Sequence, residues 1–191
     1  MSFVSIVGNK NYISVVCDGL AVYEDGTRNE DYQKFEILQH KYFIAFAGTI
    51  EACVLCQEEM KRLLLAESPI YDDIYDEMKN FTKKINFSEI NKAQICIGSN
   101  DNGTLRLSAF SNNPEIEATD FKLTSKDIRA TFLNNYSGEI PIEDLFFKYA
   151  KRYKSVSQNQ IFLAQRDLNE YVADINPNEV NKNIKRFTLK K

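Results

Sequence analysis

The chain has 191 residues, 43% of them hydrophobic and 27% charged, with a formal net charge of −3. That length suits one domain over residues 1–191, burying about 70% of its unfolded surface. The mild acidity excludes the concentrated basic face of a nucleic-acid binder, and no stretch approaches the ~18 uninterrupted apolar residues of a membrane span.

Residues 1–20 alternate and carry Asn9, Lys10, Asn11 and Asp18, unlike the basic start and apolar run of a secretory signal, so a cytoplasmic protein is expected. Residues 3–8 and 12–17 are β-rich runs joined by Asn9-Lys10-Asn11, a hairpin signal. Ile13, Val15, Val16 and Cys17 are almost continuously apolar, as in a strand covered on both faces. Residues 19–32 are polar, contain Glu24-Asp25-Gly26, and read as a long loop. Residues 33–38 and 41–48 form a second hairpin, with Phe43 to Ala47 apolar throughout.

Two helices follow. Over 50–65, Cys53, Cys56, Met60, Leu63 and Leu64 share one face. Pro69 stands near the start of the next, where Ile70, Ile74, Met78, Phe81 and Ile85 recur at helical spacing. Asp72 and Asp73 sit in its first turn, where the helix dipole favours negative charge, and are not read as a metal site. Strands return at 93–98 and 104–110, turning at Asn102-Gly103, with a weaker strand at 121–124. Helices are expected at 126–136 and 142–154, strands at 160–164 and 171–175, and a peripheral tail from about 177. The basic run Lys182 to Lys191 reads as a solvated tail or an edge strand.

Strand pairs, two helices, strand pairs, two helices and final strands suggest two stacked sheets between helical layers, an α+β four-layer αββα sandwich. The four cysteines (Cys17, Cys53, Cys56, Cys96) read as reduced thiols. Cys53 and Cys56 form a C-x-x-C, but no second pair complements them and they fall on an apolar helix stripe as small buried hydrophobes. The one histidine, His40, sits in a turn, so hydrolytic chemistry needs another base.

A free α-amine is such a base. With Met1 removed, Ser2 carries an amine of reference pKa ~7.7–8.0 beside its own hydroxyl. A neighbouring lysine ammonium depresses the pKa of both groups, an aspartate fixes that lysine, and a backbone N–H at a strand end stabilises an oxyanion. Asp18 stands sixteen residues after Ser2, Lys34 sixteen after that, and Gly48 fourteen further on. They lie in Ser2-Phe3-Val4-Ser5-Ile6-Val7-Gly8, Val15-Val16-Cys17-Asp18-Gly19, Tyr32-Gln33-Lys34-Phe35 and Tyr42-Phe43-Ile44-Ala45-Phe46-Ala47-Gly48-Thr49.

This ungapped pattern resembles the amino-terminal quarter of proteasome β subunits and, more closely, of HslV peptidases, members of the N-terminal nucleophile hydrolases. The resemblance implies the αββα fold independently. It assigns Ser2 as nucleophile and base, with Asp18, Lys34 and Gly48 as its supporting residues, and it requires no cofactor and no metal. It fades after about residue 66. The family's Gly-Ser-Gly loop matches best at Thr124-Ser125-Lys126, where Ser125 is kept and both glycines are replaced. The family's Arg-Asp followed by Ser-Gly is met by Arg152-Tyr153-Lys154-Ser155-Val156-Ser157, without the aspartate. The nucleophile is serine where the family usually has threonine.

The implied substrate is a peptide or an unfolded protein, cleaved in a homo-oligomeric ring served by an ATP-dependent unfoldase. The tyrosine-rich second helix (Tyr71, Tyr75) is expected to supply part of the ring contact. Two alternatives share the fold: a catalytically silent ring or scaffold subunit, and a hydrolase of small amides.

Overall fold

A computed structural model describes residues 2–191 apart from Glu24, Glu89, Asn135, Ser137, Ser155 and Val156. In chain order the strands and helices are β1 (Val4–Asn9), β2 (Tyr12–Asp18), β3 (Ala21–Val22), β4 (Arg28–Asn29), β5 (Phe35–Leu38), β6 (Tyr42–Gly48), α1 (Ile50–Leu63) and α2 (Tyr71–Lys84). They continue as β7 (Ala93–Asp101), β8 (Thr104–Ser111), β9 (Thr119–Leu123), β10 (Arg129–Leu133), α3 (Ile142–Arg152), α4 (Gln158–Ile175) and β11 (Ile184–Lys190). One sheet has the order β10-β1-β2-β11, the other β5-β6-β7-β8-β9, and β3 pairs with β4 alone.

The continuous apolar runs have a simple cause. Successive side chains of a strand point to opposite faces, and here both faces meet a core. In β6, Phe43, Ala45 and Ala47 join Val4, Ile6, Ile13 and Val15 between the two sheets. Tyr42, Ile44 and Phe46 point the other way, against Cys53, Cys56 and Met60 of α1 and Ile74 and Met78 of α2. On the far side, Phe3, Val7 and Tyr12 meet Leu145 and Phe146 of α3 and Ile161, Ala164 and Leu168 of α4. The result is the αββα sandwich. Asn102 and Gly103, at φ +48° and +80°, make the tight β7–β8 turn that the Asn-Gly step requires.

Three expected elements differ. Among the described residues of 126–136 there is no helix; β10 pairs antiparallel with β1, from Val4 opposite Leu133 to Gly8 opposite Arg129. Ala130 and Phe132 pack on the helical layer while Leu133 enters the inter-sheet core, a period of two rather than 3.6. Residues 160–164 and 171–175 are not strands but parts of α4, whose buried Ile161, Ala164, Gln165, Leu168 and Val172 follow helical spacing. The basic end of the chain is an edge strand: β11 pairs with β2 along its whole length and buries Leu189.

Candidate active site

Ser2 directly precedes the buried Phe3, whose ring is anchored in the core under α3 and α4. The Phe3 N–H donates to Asp18 Oδ1 at 2.8 Å, and the Phe3 carbonyl accepts the Asp18 N–H at 3.1 Å. Ser2 is thus one residue from a double tether to the last residue of β2. Asp18 is 0% exposed and Lys34 1% exposed. Lys34 Nζ donates to Asp18 Oδ1 at 2.5 Å, and the Leu20 N–H donates to Asp18 Oδ2 at 2.9 Å. The carboxylate therefore accepts three hydrogen bonds, which is what a buried charge requires. Lys34 is fixed at its other end, where its carbonyl accepts the Phe46 N–H at 3.0 Å. Burial lowers the Lys34 pKa below the usual lysine value, and the Asp18 charge opposes that shift.

Gly48 ends β6 at φ +138°, opposite Ala93 of β7. A β-carbon there would lie 2.0 Å from the Lys92 carbonyl oxygen, so the position demands glycine. Thr49 locks the same corner: its N–H donates to the Lys92 carbonyl at 2.7 Å, and its Oγ1 accepts the Lys92 N–H at 3.0 Å. Ser2, Lys34 and Gly48 line one cavity of about 330 Å³. Tyr32, Phe46 and Cys53 form apolar wall, and Glu51, Lys92 and Glu179 add charge.

Two thiols flank the ion pair. Burial pushes the Cys17 thiol up to about 11 and the Cys53 thiol well above its ordinary value. Both are neutral and poor nucleophiles near neutral pH. Among the described residues no group of three or more His, Cys, Asp and Glu could hold a metal ion, and no helix is long and apolar enough to cross a membrane.

The structure brings Ser2, Asp18, Lys34 and Gly48 together but not Ser125. Ser125 lies between β9 and β10, where its carbonyl accepts the Lys10 N–H at 2.9 Å and its hydroxyl bonds to Asp127. Lys10 is at the far end of β1, so about 20 Å of strand separates Ser125 from Ser2. The chain reaches the Ser2 end one strand later. Leu133 pairs with Val4, and Asn134 exchanges hydrogen bonds of 2.8 Å with Gln94 of β7. Residues 129–133 form a strand beside β1 rather than a helix, and Ser125 therefore lies at the opposite end of β1 from Ser2.

Arg152 ends α3 and Ser157 directly precedes α4, while Ser155 and Val156 lie outside the described residues, as does Met1. Gln158 at the start of α4 meets Thr188 of β11, several residues from the Ile184 that pairs with Asp18. The segment that arrives at Asp18 is instead 176–183, after α4. Its asparagine-rich text (Asn176, Asn178, Asn181, Asn183) was the signal: asparagine favours irregular backbone that side-chain hydrogen bonds must hold.

No protein-family model matches the chain, and no curated protein matches it in sequence. Among solved structures, eukaryotic HslV from Trypanosoma brucei is similar over 99% of each chain, with a TM-score of 0.67 and 11% sequence identity. At that identity the likeness shows the fold: this is a proteasome- and HslV-like sandwich.

Proposed function

We propose that this chain is an HslV-like N-terminal nucleophile peptidase, in which Ser2, freed by removal of Met1, is both nucleophile and, through its α-amine, base. The observation that carries this reading is the fully buried Asp18–Lys34 pair beside Ser2 at the wall of a cavity that Gly48 also lines. Burying a lysine and an aspartate costs several kcal/mol each. An ammonium held at the cavity wall repays that cost in function by stabilising negative charge on a neighbouring oxygen.

In the proposed reaction the amine takes the Ser2 hydroxyl proton as Oγ attacks the substrate carbonyl carbon. The oxyanion of the tetrahedral intermediate accepts a hydrogen bond from the Gly48 N–H. The protonated amine then passes its proton to the leaving nitrogen as the C–N bond breaks, which leaves an ester on Ser2. Water, deprotonated by the same amine, attacks the ester carbonyl; the amine returns that proton to Ser2 Oγ as the C–O bond breaks, which releases the acid and restores the free amine and hydroxyl. The Lys34 ammonium lowers the pKa of both hydroxyl and amine, and Asp18 holds it in place. No cofactor enters the scheme.

The proposed substrates are peptides or unfolded segments, cleaved inside a homo-oligomeric ring with an ATP-dependent unfoldase as partner. Ser2→Ala is expected to fold and to cleave no fluorogenic peptide. Ser2→Thr is expected to keep substantial turnover, since the hydroxyl and the amine are both retained. Unchanged turnover in Ser2→Ala would refute the reading.

A further inference from the structure

The excursion 19–32 supplies a wall of the cavity through Val22, Tyr23 and Tyr32. Among its described residues the regular structure is the two-residue ladder of β3 with β4. Its base is closed from the other end of the chain. Asn181 Oδ1 accepts the Gly19 N–H at 2.9 Å. Asn181 Nδ2 donates to the Glu30 carbonyl at 2.9 Å and to the Glu30 carboxylate at 2.7 Å. One side chain therefore pins both ends of the excursion. Asn183 Nδ2 adds a bond to the same Glu30 carbonyl at 3.1 Å.

Asn181 is itself held. The fully buried Asn169 of α4 donates to the Asn181 carbonyl at 2.9 Å, and β11 begins at Ile184, paired with Asp18. The junction is close-packed, since a β-carbon on Gly19 would lie 2.8 Å from the Glu30 carbonyl oxygen. From the same connector, Glu179 reaches the cavity wall.

We propose that Asn181 is a positioning residue of the site: it sets the cavity wall formed by residues 19–32 against the substrate. The inference rests on the peptidase reading of that cavity. Without Asn181, Asp18 keeps its bonds from Phe3, Leu20 and Lys34. Its loss therefore loosens the wall rather than the reacting groups, and falls on KM rather than kcat.

The test combines hydrogen exchange with peptide kinetics on the full chain. In Asn181→Ala, amides of 19–32 are expected to exchange at least about tenfold faster while β7 keeps its protection. KM is expected to rise about fivefold to tenfold with kcat within about twofold. Asn181→Asp sets two carboxylates face to face and is expected to behave like Asn181→Ala. Adding Glu30→Gln reverses the polarity of the side-chain pair and keeps the acceptor for Gly19 but not the donor to the Glu30 carbonyl, and is expected to restore protection and KM in part, beyond either single variant. Unchanged exchange in 19–32, a uniform rise over the whole chain, or a fall in kcat at constant KM would overturn the assignment. If the wild-type protein cleaves no peptide, the peptidase reading fails and the exchange data alone decide the clamp.

Discussion

Asp18 and Lys34 are partners inside the protein, and that changes what their mutants do. Lys34→Ala leaves a buried carboxylate without its counter-ion, so it is expected to lose about 3–5 kcal/mol of stability by urea unfolding as well as all turnover. Lys34→Arg keeps the charge, but its planar fork does not fit the space of a compact ammonium. It is expected to recover little turnover; wild-type rates in either variant would show that Lys34 is only structural. Burial also sets a pH dependence. Because the folded pKa of Lys34 is lowered, the folded state binds fewer protons than the unfolded state between that pKa and the ordinary 10.5. The cost of the buried charge is present in full below that window and is relieved as pH rises through it. Relative to Lys34→Met, the wild-type unfolding free energy should climb as pH approaches 10.5. A flat difference would contradict the shift.

Between residue and whole lies the docking of elements. Gln165 of α4 is fully buried and fastens that helix to the first sheet. Its Nε2 donates to the Ser5 carbonyl at 2.8 Å, and its Oε1 accepts the Ser14 hydroxyl at 2.7 Å. Gln165→Ala strands those groups and is expected to cost about 2 kcal/mol in chemical denaturation. Gly48→Ala is expected to cost at least about as much, because φ +138° and the Lys92 carbonyl both oppose a side chain. A loss under about 0.5 kcal/mol in either would refute its packing role. The first half of the chain was legible because its strands are apolar on both faces and its helices keep one stripe. β10 was not, because Arg129 to Leu133 is too short for its period to be read, and α4 was not, because the short apolar run Ile161 to Ala164 taken alone hides the helical spacing of Ile161, Ala164, Leu168 and Val172. The site divides the same way. Asp18, Lys34 and Gly48 are placed by local strand ends, whereas Asn181 meets Gly19 only through a contact 162 residues away in sequence.

For the whole molecule, the proposed ring needs an outward surface, and the tyrosines of α2 do not provide it. Tyr71 is buried, with its hydroxyl 2.8 Å from Ser108 Oγ, and Tyr75 packs against Phe110. Among the exposed apolar residues, Val54 and Leu55 lie on α1, and Leu65 and Ile70 lie between α1 and α2. Light scattering is expected to give a multiple of 22.1 kDa, reduced by Leu55→Glu; a monomer at micromolar concentration would contradict assembly. The central claim, however, is chemical. The α-amine of Ser2 acts as base only when it is free, since an amide nitrogen has no available lone pair. The most direct measurement compares protein processed at Met1 with protein retaining it, on one fluorogenic peptide and with a β-lactone label. Turnover and labelling at Ser2 are expected for the processed form alone, with a rate that rises through an apparent pKa at or below ~8. Equal turnover by both forms, or a label on any other residue, would contradict it; if both are inert yet assemble alike, the chain is a silent subunit of the same fold.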